Sequence, residues 1–242
     1  MAISEFQFNL LSCDFITPRV KHFIGTIDCD KEWSFIPGQF ITLSFKHEDK
    51  VLRRSYSIAN SPNPQNIIEF AASFVDGGPG SQFLFQLTPG DGFPISGPYG
   101  RLTLKEEPVQ RIFLVGTGTG ITPYRSMLAS IAQSLQTTPN RQFEIIEGVS
   151  HIQELLFEAD FKAFCKQHPQ VQFHAAISRE ASNQKHHVLG RVQTVLQQKS
   201  LHPEHDMVYL CGNPQMIDDT TKLLEEIGFP IQKIIREKYI SR

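Results

Sequence analysis

The pattern of apolar and polar positions changes character partway along the chain. Up to about residue 105 the apolar residues come in short β-like runs, as in Phe40-Ile41-Thr42-Leu43-Ser44-Phe45, Tyr56-Ser57-Ile58-Ala59 and Ile67-Ile68-Glu69-Phe70-Ala71-Ala72. Turn formers interrupt these runs at Pro37-Gly38, Pro89-Gly90-Asp91-Gly92 and Gly97-Pro98-Tyr99-Gly100. Short strands punctuated in this way predict an antiparallel β-barrel. After Glu106-Glu107-Pro108 the grammar changes: apolar strand runs at 111–115, 143–148, 171–177 and 207–211 alternate with helical patterns at 123–135, 154–167, 191–198 and 214–227. That alternation predicts a parallel sheet with helices packed on it. The expected architecture is therefore two unlike domains, an antiparallel β-barrel over residues 1–105 and an α/β parallel-sheet domain over residues 106–242, with no internal repeat.

A chain of 242 residues is long enough for two such units to bury separate cores. With 40% hydrophobic and 20% charged residues it has the composition of a globular protein. No apolar run reaches the about 18 residues of a membrane span, and no membrane association is expected. The opening Met1-Ala2-Ile3-Ser4-Glu5 lacks the basic and apolar regions of a secretory signal. The four cysteines, Cys13, Cys29, Cys165 and Cys211, are scattered, which suits a reduced, cytoplasmic monomer. A formal charge of −2 argues against nucleic-acid binding, which usually demands a basic excess. The cysteine spacing contains neither C-x-x-C pairs nor an iron–sulfur pattern, and no metal site is expected.

The strand run at 111–115 ends abruptly in Gly116-Thr117-Gly118-Thr119-Gly120-Ile121-Thr122-Pro123, and a helical pattern follows. Glycines allow close backbone approach to a pyrophosphate, and the free N–H groups of a helix start favour an anion. Pro123 suits the first helical turn. The turn departs from the G-x-G-x-x-G fingerprint, because Ile121 stands where the third glycine belongs and no acidic residue follows for a ribose hydroxyl. The third strand run ends instead in Ser178-Arg179-Glu180, with Lys185 and Arg191 beyond. Hydroxyl and guanidinium groups suit a 2′-phosphate, since arginine offers a bidentate fork; taken alone, the same residues also describe an exposed charged loop.

Arg54-Ser55-Tyr56-Ser57 resembles the R-x-Y-[ST] flavin motif of the ferredoxin (flavodoxin)–NADP reductase superfamily. Pro37-Gly38-Gln39-Phe40, Gly78-Pro79-Gly80-Ser81, Gly97-Pro98-Tyr99-Gly100, the glycine-rich turn, Ser178-Arg179-Glu180, Cys211-Gly212-Asn213-Pro214-Gln215-Met216 and Glu237-Lys238-Tyr239 follow that family's order over nearly the whole chain. The segment 211–216 is especially similar to bacterial members.

The resemblance implies FAD in the barrel and NADP(H) in the α/β domain. Arg54 would neutralise the FAD pyrophosphate, helped by backbone N–H groups near Gly80 and by the Ser81 hydroxyl. Tyr56 would lie against the isoalloxazine, and Ser57 would hydrogen-bond near N5. Ser55, Ala71, Ala72 and Ser73 would complete the flavin site. Gly116, Thr117, Gly118, Thr119 and Gly120 would cradle the dinucleotide, with Gly212, Asn213 and Met216 beside them. Ser178, Arg179 and Arg191 would read the 2′-phosphate. Ser57, Cys211, Glu237 and Tyr239 would be the catalytic set. Cys211 would sit beside the nicotinamide, and Glu237 would assist proton or hydride transfer. Tyr239, on a mobile terminal segment, would cover the flavin face.

Three departures stand out, one being that Ile240 cannot stack on the FAD adenine as the terminal aromatic often carried by bacterial relatives can. Ser150 occupies a place where relatives often have arginine, and the chain continues past Tyr239 through Ile240-Ser241-Arg242. The implied activity is electron transfer between NADPH and a separate ferredoxin or flavodoxin, with Lys50, Arg53, Lys233, Arg236 and Lys238 as a docking patch or an ordinary solvated surface. The alternatives are an NAD(P)H-dependent flavin or quinone reductase, the reductase component of a monooxygenase, and an electron-transfer subunit active only in a complex.

Overall fold

The computed structural model describes residues 5–29 and 33–239. The chain folds as two compact units, Met1–Leu104 and Lys105–Arg242.

The first unit comprises β1 (Glu5–Thr17), β2 (Val20–Asp28), β3 (Phe40–His47), β4 (Lys50–Ser57), β5 (Ile67–Ser73), helix α1 (Pro79–Gln86) and β6 (Gly92–Tyr99). Its strands run antiparallel in the order β4-β3-β6-β1-β2-β5. Ile58, one residue beyond β4, bridges to Phe70 of β5, so the two ends of the sheet meet and the barrel closes there. Closure removes the exposed edges that an open sheet would present. The interior is rich in aromatics: Phe8, Phe23 and Phe70 are completely buried, and the Phe23 and Phe70 rings stack at 4.9 Å. Burying a side chain of this kind contributes about 1.5–3 kcal/mol. Gly25 makes room for one of them, since a Cβ there would come within 2.4 Å of the Phe8 ring and of the Asn9 carbonyl. β1 and β2 were not marked by the apolar pattern; register shifts in β1 between Leu10 and Ser12 and between Phe15 and Thr17 break the alternation that would announce it.

The second unit comprises β7 (Arg111–Thr117), α2 (Thr122–Ser126), α3 (Leu128–Thr137), β8 (Gln142–Val149), α4 (Glu158–Gln167), β9 (Val171–Ile177), β10 (His187–Leu189), α5 (Val192–Gln197), β11 (Asp206–Gly212), α6 (Pro214–Glu226) and β12 (Ile234–Lys238). All its pairings are parallel, in the order β10-β9-β8-β7-β11-β12. The strands β7, β8 and β11 are buried almost throughout because both faces of a parallel sheet are covered; the runs of β7 and β11 are nearly all apolar, whereas β8 also buries Glu144 and Glu147. The chain runs outward from β7 to β10 and then crosses back to β11. That reversal creates a switch point between β7 and β11, and ligands of such sheets bind at the carboxyl ends of the strands there. At the opposite end of the same two strands, Arg111 grips Asp206 through two hydrogen bonds of 2.7 and 3.1 Å.

Two expectations need correction. The single helix expected at 123–135 is broken: residues Gly118–Ile121 form a 3₁₀ turn, and α2 and α3 meet at Met127. The helix expected from residue 154 starts only at Glu158, because Ile152–Glu154 is a 3₁₀ turn and Phe157 takes a left-handed φ of 56°. The segment carrying Glu237 is strand β12, which pairs with β11, and the Tyr239 N–H donates to the Gly212 carbonyl at 2.8 Å. Ile240, Ser241 and Arg242 lie outside the described residues.

Candidate functional site

In the first unit, β4 presents Arg54 and Tyr56 on one face by the two-residue period of a strand. Both side chains reach the first turn of α1. A Cβ on Gly80 would lie 2.9 Å from Arg54 Cγ and 3.5 Å from the Tyr56 hydroxyl, so only glycine admits this approach. The first N–H groups of a helix have no intrahelical acceptor, and its dipole favours negative charge. An arginine beside such a turn, which holds no acidic residue, makes a place that favours an anion. The residues present therefore fit the phosphate end of FAD.

The Ser81 hydroxyl is engaged within its own loop. It accepts from the Val75 N–H at 3.0 Å and lies 3.0 Å from the Val75 and Gly78 carbonyls, so it pins the loop before α1. Tyr56 packs on Phe70 with ring centroids 5.3 Å apart, and burial pushes its phenol up to about 12 against the opposing pull of Arg54. It stays neutral, an aromatic surface with a hydroxyl donor. Ser57 is buried at the end of β4, which the Ile58–Phe70 bridge brings beside Ala71, Ala72 and Ser73 of β5. Ser55 is occupied with Thr42, at 2.9 Å between hydroxyls.

In the second unit, the glycine-rich turn and the end of β11 interlock at the switch point. A Cβ on Gly116 would sit 2.8 Å from the Gly120 main chain, and one on Gly120 would sit 2.3 Å from the Cys211 carbonyl. Gly118 adopts a positive φ of 52°. The Thr117 hydroxyl accepts from the Asn213 N–H at 3.1 Å, and Asn213 in turn caps α6 by accepting from Gln215 and Met216. Gly212, at φ 116°, passes so close to Thr117 that a side chain would clash with its carbonyl at 2.7 Å. The glycines thus let the turn and the end of β11 pack backbone against backbone at the switch point, where sheets of this kind bind dinucleotides.

Cys211 stands opposite both Gly116 and Glu237 in the sheet register. Burial raises its thiol well above the ordinary value, and nearby Glu237 raises it further, against a hydrogen bond from Tyr239. Cys211 is a thiol, not a nucleophilic thiolate. Burial pushes the Glu237 carboxyl up to about 7. Tyr124, which the sequence motifs did not single out, is fully buried beneath this cluster and donates to the Val115 carbonyl at 3.1 Å. Its position just after the proline of the turn was the available signal.

Ser178, Arg179 and Arg191 lie apart from that cluster, beyond the end of β9 and at the start of α5. Their side chains are exposed. The N–H groups of Ser178 and Arg179 bind the Val149 and Ser150 carbonyls, each at 3.1 Å, which fixes the loop but leaves the Arg179 side chain directed by neither. Glu180 turns back to accept from the Ile152 N–H. Of the expected docking cations, Lys233 donates to the Pro203 and Glu204 carbonyls at 2.9 and 2.6 Å, and Lys238 pairs with Asp218. Lys50, Arg53 and Arg236 are exposed. Among the described residues, no helix is long and apolar enough to cross a membrane.

Two family models match: the oxidoreductase FAD-binding domain over residues 8–104 and the oxidoreductase NAD-binding domain over residues 114–222. The chain is 29% identical over 201 residues to a subunit of the Na(+)-translocating NADH-quinone reductase of Klebsiella pneumoniae, covering 77% of this chain and 48% of that one. It thus spans about half the length of that relative. It is 26% identical over 241 residues to ferredoxin–NADP reductase B of Sorangium cellulosum, covering 97% of both. In fold it is similar to a ferredoxin NADP+ reductase from Neisseria gonorrhoeae solved with bound FAD and NADP, with a TM-score of 0.84, 23% identity, and 98% and 99% of the two chains covered.

Proposed function

We propose that the chain, an oxidoreductase with one FAD-binding and one NAD-binding domain in the manner of the ferredoxin–NADP reductases, moves electrons between NADPH and a separate one-electron carrier, a ferredoxin or flavodoxin, in the cytoplasm. The observation that carries this reading is the junction at the switch point, where Gly120 rests on the Cys211 carbonyl and Cys211, Glu237 and Tyr239 meet. Bound FAD supplies the chemistry that converts a hydride pair into single electrons.

The protein's residues have the tasks of binding, orienting and proton holding. Arg54 and the first turn of α1 neutralise the FAD phosphates. Tyr56 and Ser57 orient the ring system. The turn at 116–120 holds the dinucleotide phosphates against main-chain N–H groups. Cys211 sets the depth to which the nicotinamide enters, as a small neutral side chain. Glu237, with its carboxyl near 7, holds or releases a proton close to neutral pH. Tyr239 closes the nicotinamide position and yields it to the substrate. NADPH preference rests on exposed Arg179 and Arg191 with Ser178, at a strand end where Glu180 is already engaged. The four cysteines are free thiols, consistent with a reducing compartment.

A second reading is favoured by the relationship to a subunit of an NADH-quinone reductase and by Ser150 in the place of an arginine. In that reading the chain uses NADH and serves a quinone or an oxygenase as a reductase component. Rapid-mixing reduction of the flavin by NADPH and by NADH, followed by reoxidation with ferredoxin, flavodoxin and a soluble quinone, separates the two. Faster reduction by NADPH and rapid reoxidation by either carrier protein support the first. Preference for NADH with reoxidation by quinone alone overturns it.

A further inference from the structure

At the far edge of the second unit's sheet, four strands from β11, a carboxylate and two imidazoles converge on one point. Glu158 opens α4, and His186 and His187 stand at the start of β10. His186 Nε2 lies 2.7 Å from Glu158 Oε1, and His187 Nε2 lies 3.0 Å from the same oxygen. The three ligand atoms all fall within 4.8 Å of one another. We propose that Glu158, His186 and His187 form a binding site for a divalent transition-metal ion of the zinc class. The proposal is independent of the coenzyme and carrier readings above.

The ligand set is chemically apt. Two neutral imidazoles and one carboxylate suit zinc and its neighbours, whereas calcium and magnesium prefer oxygen alone. The geometry needs little change. Zinc binds nitrogen and carboxylate oxygen at about 2.0–2.2 Å, so tetrahedral ligands stand roughly 3.4 Å apart. The observed separations of 2.7 and 3.0 Å from the oxygen would widen by about 0.7 and 0.4 Å. The same oxygen that now accepts from both rings would become the third ligand.

The supports for these side chains are those of a built site. The His187 side chain is only 1% exposed, and its Nδ1 lies 2.8 Å from the Ser182 hydroxyl. When that Nδ1 carries the proton and donates to Ser182, Nε2 presents its lone pair to the metal, the usual arrangement of a ligating histidine. The His186 ring packs near Phe173 at 6.0 Å, and Phe173 stacks on Phe161 of α4 at 5.4 Å, so the helix and the strand edge are held together by their own core. His186 and Glu158 retain 23% and 25% side-chain exposure, which leaves an entry path and room for a water or a fourth ligand. Lys162, 3.9 Å from Glu158 Oε1, has a side chain 43% exposed, so it can withdraw into solvent. No cysteine–histidine spacing announces this site in sequence, because Glu158 is separated from the histidine pair and only folding joins them.

The test uses the full chain with its FAD, freed of metal by EDTA. Titration with Zn²⁺ by calorimetry, and with Co²⁺ by visible absorption, should give one equivalent bound, a cobalt spectrum of low coordination number, and a higher melting temperature with metal. His187→Gln and the milder His186→Gln should each weaken binding by roughly 10–100-fold. Retained FAD and circular dichroism identify a variant that has failed to fold, and His186→Gln, the more exposed of the two, decides the matter if His187→Gln does. His205→Gln, in a separate loop, should bind as the parent does. Absence of a stoichiometric equivalent, or equal affinity in His186→Gln and the parent, overturns the proposal.

Discussion

Replacing Gly120 with alanine tests the switch-point junction most directly. The added methyl would stand 2.3 Å from the Cys211 carbonyl oxygen and 2.7 Å from Gly212 Cα, against an ordinary contact distance of 3.4 Å or more. The shortfall is about 1 Å, and the obstructing atoms are backbone, not the end of a flexible side chain. β11 is held on both sides by β7 and β12, so the glycine-rich turn must give way. Overpacking of this kind costs about 1–3 kcal/mol, equivalent to a fall in the melting temperature of roughly 3–10 °C for a unit of this size. A displacement of about 1 Å at a reacting centre costs on the order of 100-fold in rate. Flavin reduction by the nicotinamide substrate, followed in single turnover by stopped flow, should therefore slow by about 100-fold, while FAD content is unchanged because Arg54 and α1 belong to the other unit. A Gly120→Ala protein that reduces its flavin at the parental rate and melts at the parental temperature would show that the turn does not position the substrate.

Arg54→Ala should lose FAD on dialysis, since a charge-assisted hydrogen bond of about 1.5–3 kcal/mol corresponds to a roughly 10–150-fold weaker affinity; full flavin occupancy afterwards would remove Arg54 as the anchor. Arg179→Ala should lower the efficiency with NADPH relative to NADH by a similar factor, and an equal fall for both would make Arg179 structural. Glu237 has a folded pKa of about 7, above its ordinary 4.5, so its contribution to stability is lost as pH rises from 4.5 through 7. Glu237→Gln should therefore flatten the loss of stability between pH 5 and pH 8 in urea titrations, and an unaltered slope would contradict the burial of this carboxyl. Tyr239→Ser should bind NADP+ more tightly and alter the flavin spectrum on titration, because the ring and the nicotinamide compete for one surface. An unchanged spectrum and affinity would place Tyr239 outside that surface.

The glycine positions show where legibility in the sequence came from. Gly116, Gly118 and Gly120 were readable because a strand run ended at them and a helix followed, a local pattern with a local cause. The reason each must be glycine was not readable: Gly118 needs a positive φ, Gly116 must clear its own turn, and Gly120 must clear Cys211, which lies about ninety residues later. β12 escaped notice for the same reason. It is five residues of mixed polarity, and it becomes a strand only because β11 offers an unpaired edge.

The sequence by itself determined the division into a β half and an α/β half, through the periods of its apolar residues. It also determined the places of the glycine-rich turns, through glycine and proline at strand ends. These are properties of neighbouring residues, governed by backbone sterics and hydrophobic periodicity. Tertiary structure alone decided that the Ser81 hydroxyl closes a loop, that Lys233 is taken up by carbonyls, that Glu237 is buried enough to titrate near 7, and that Glu158 meets two histidines. Each depends on burial or on a partner distant along the chain, and the free energy of a charged or polar group is set by the groups that surround it after folding.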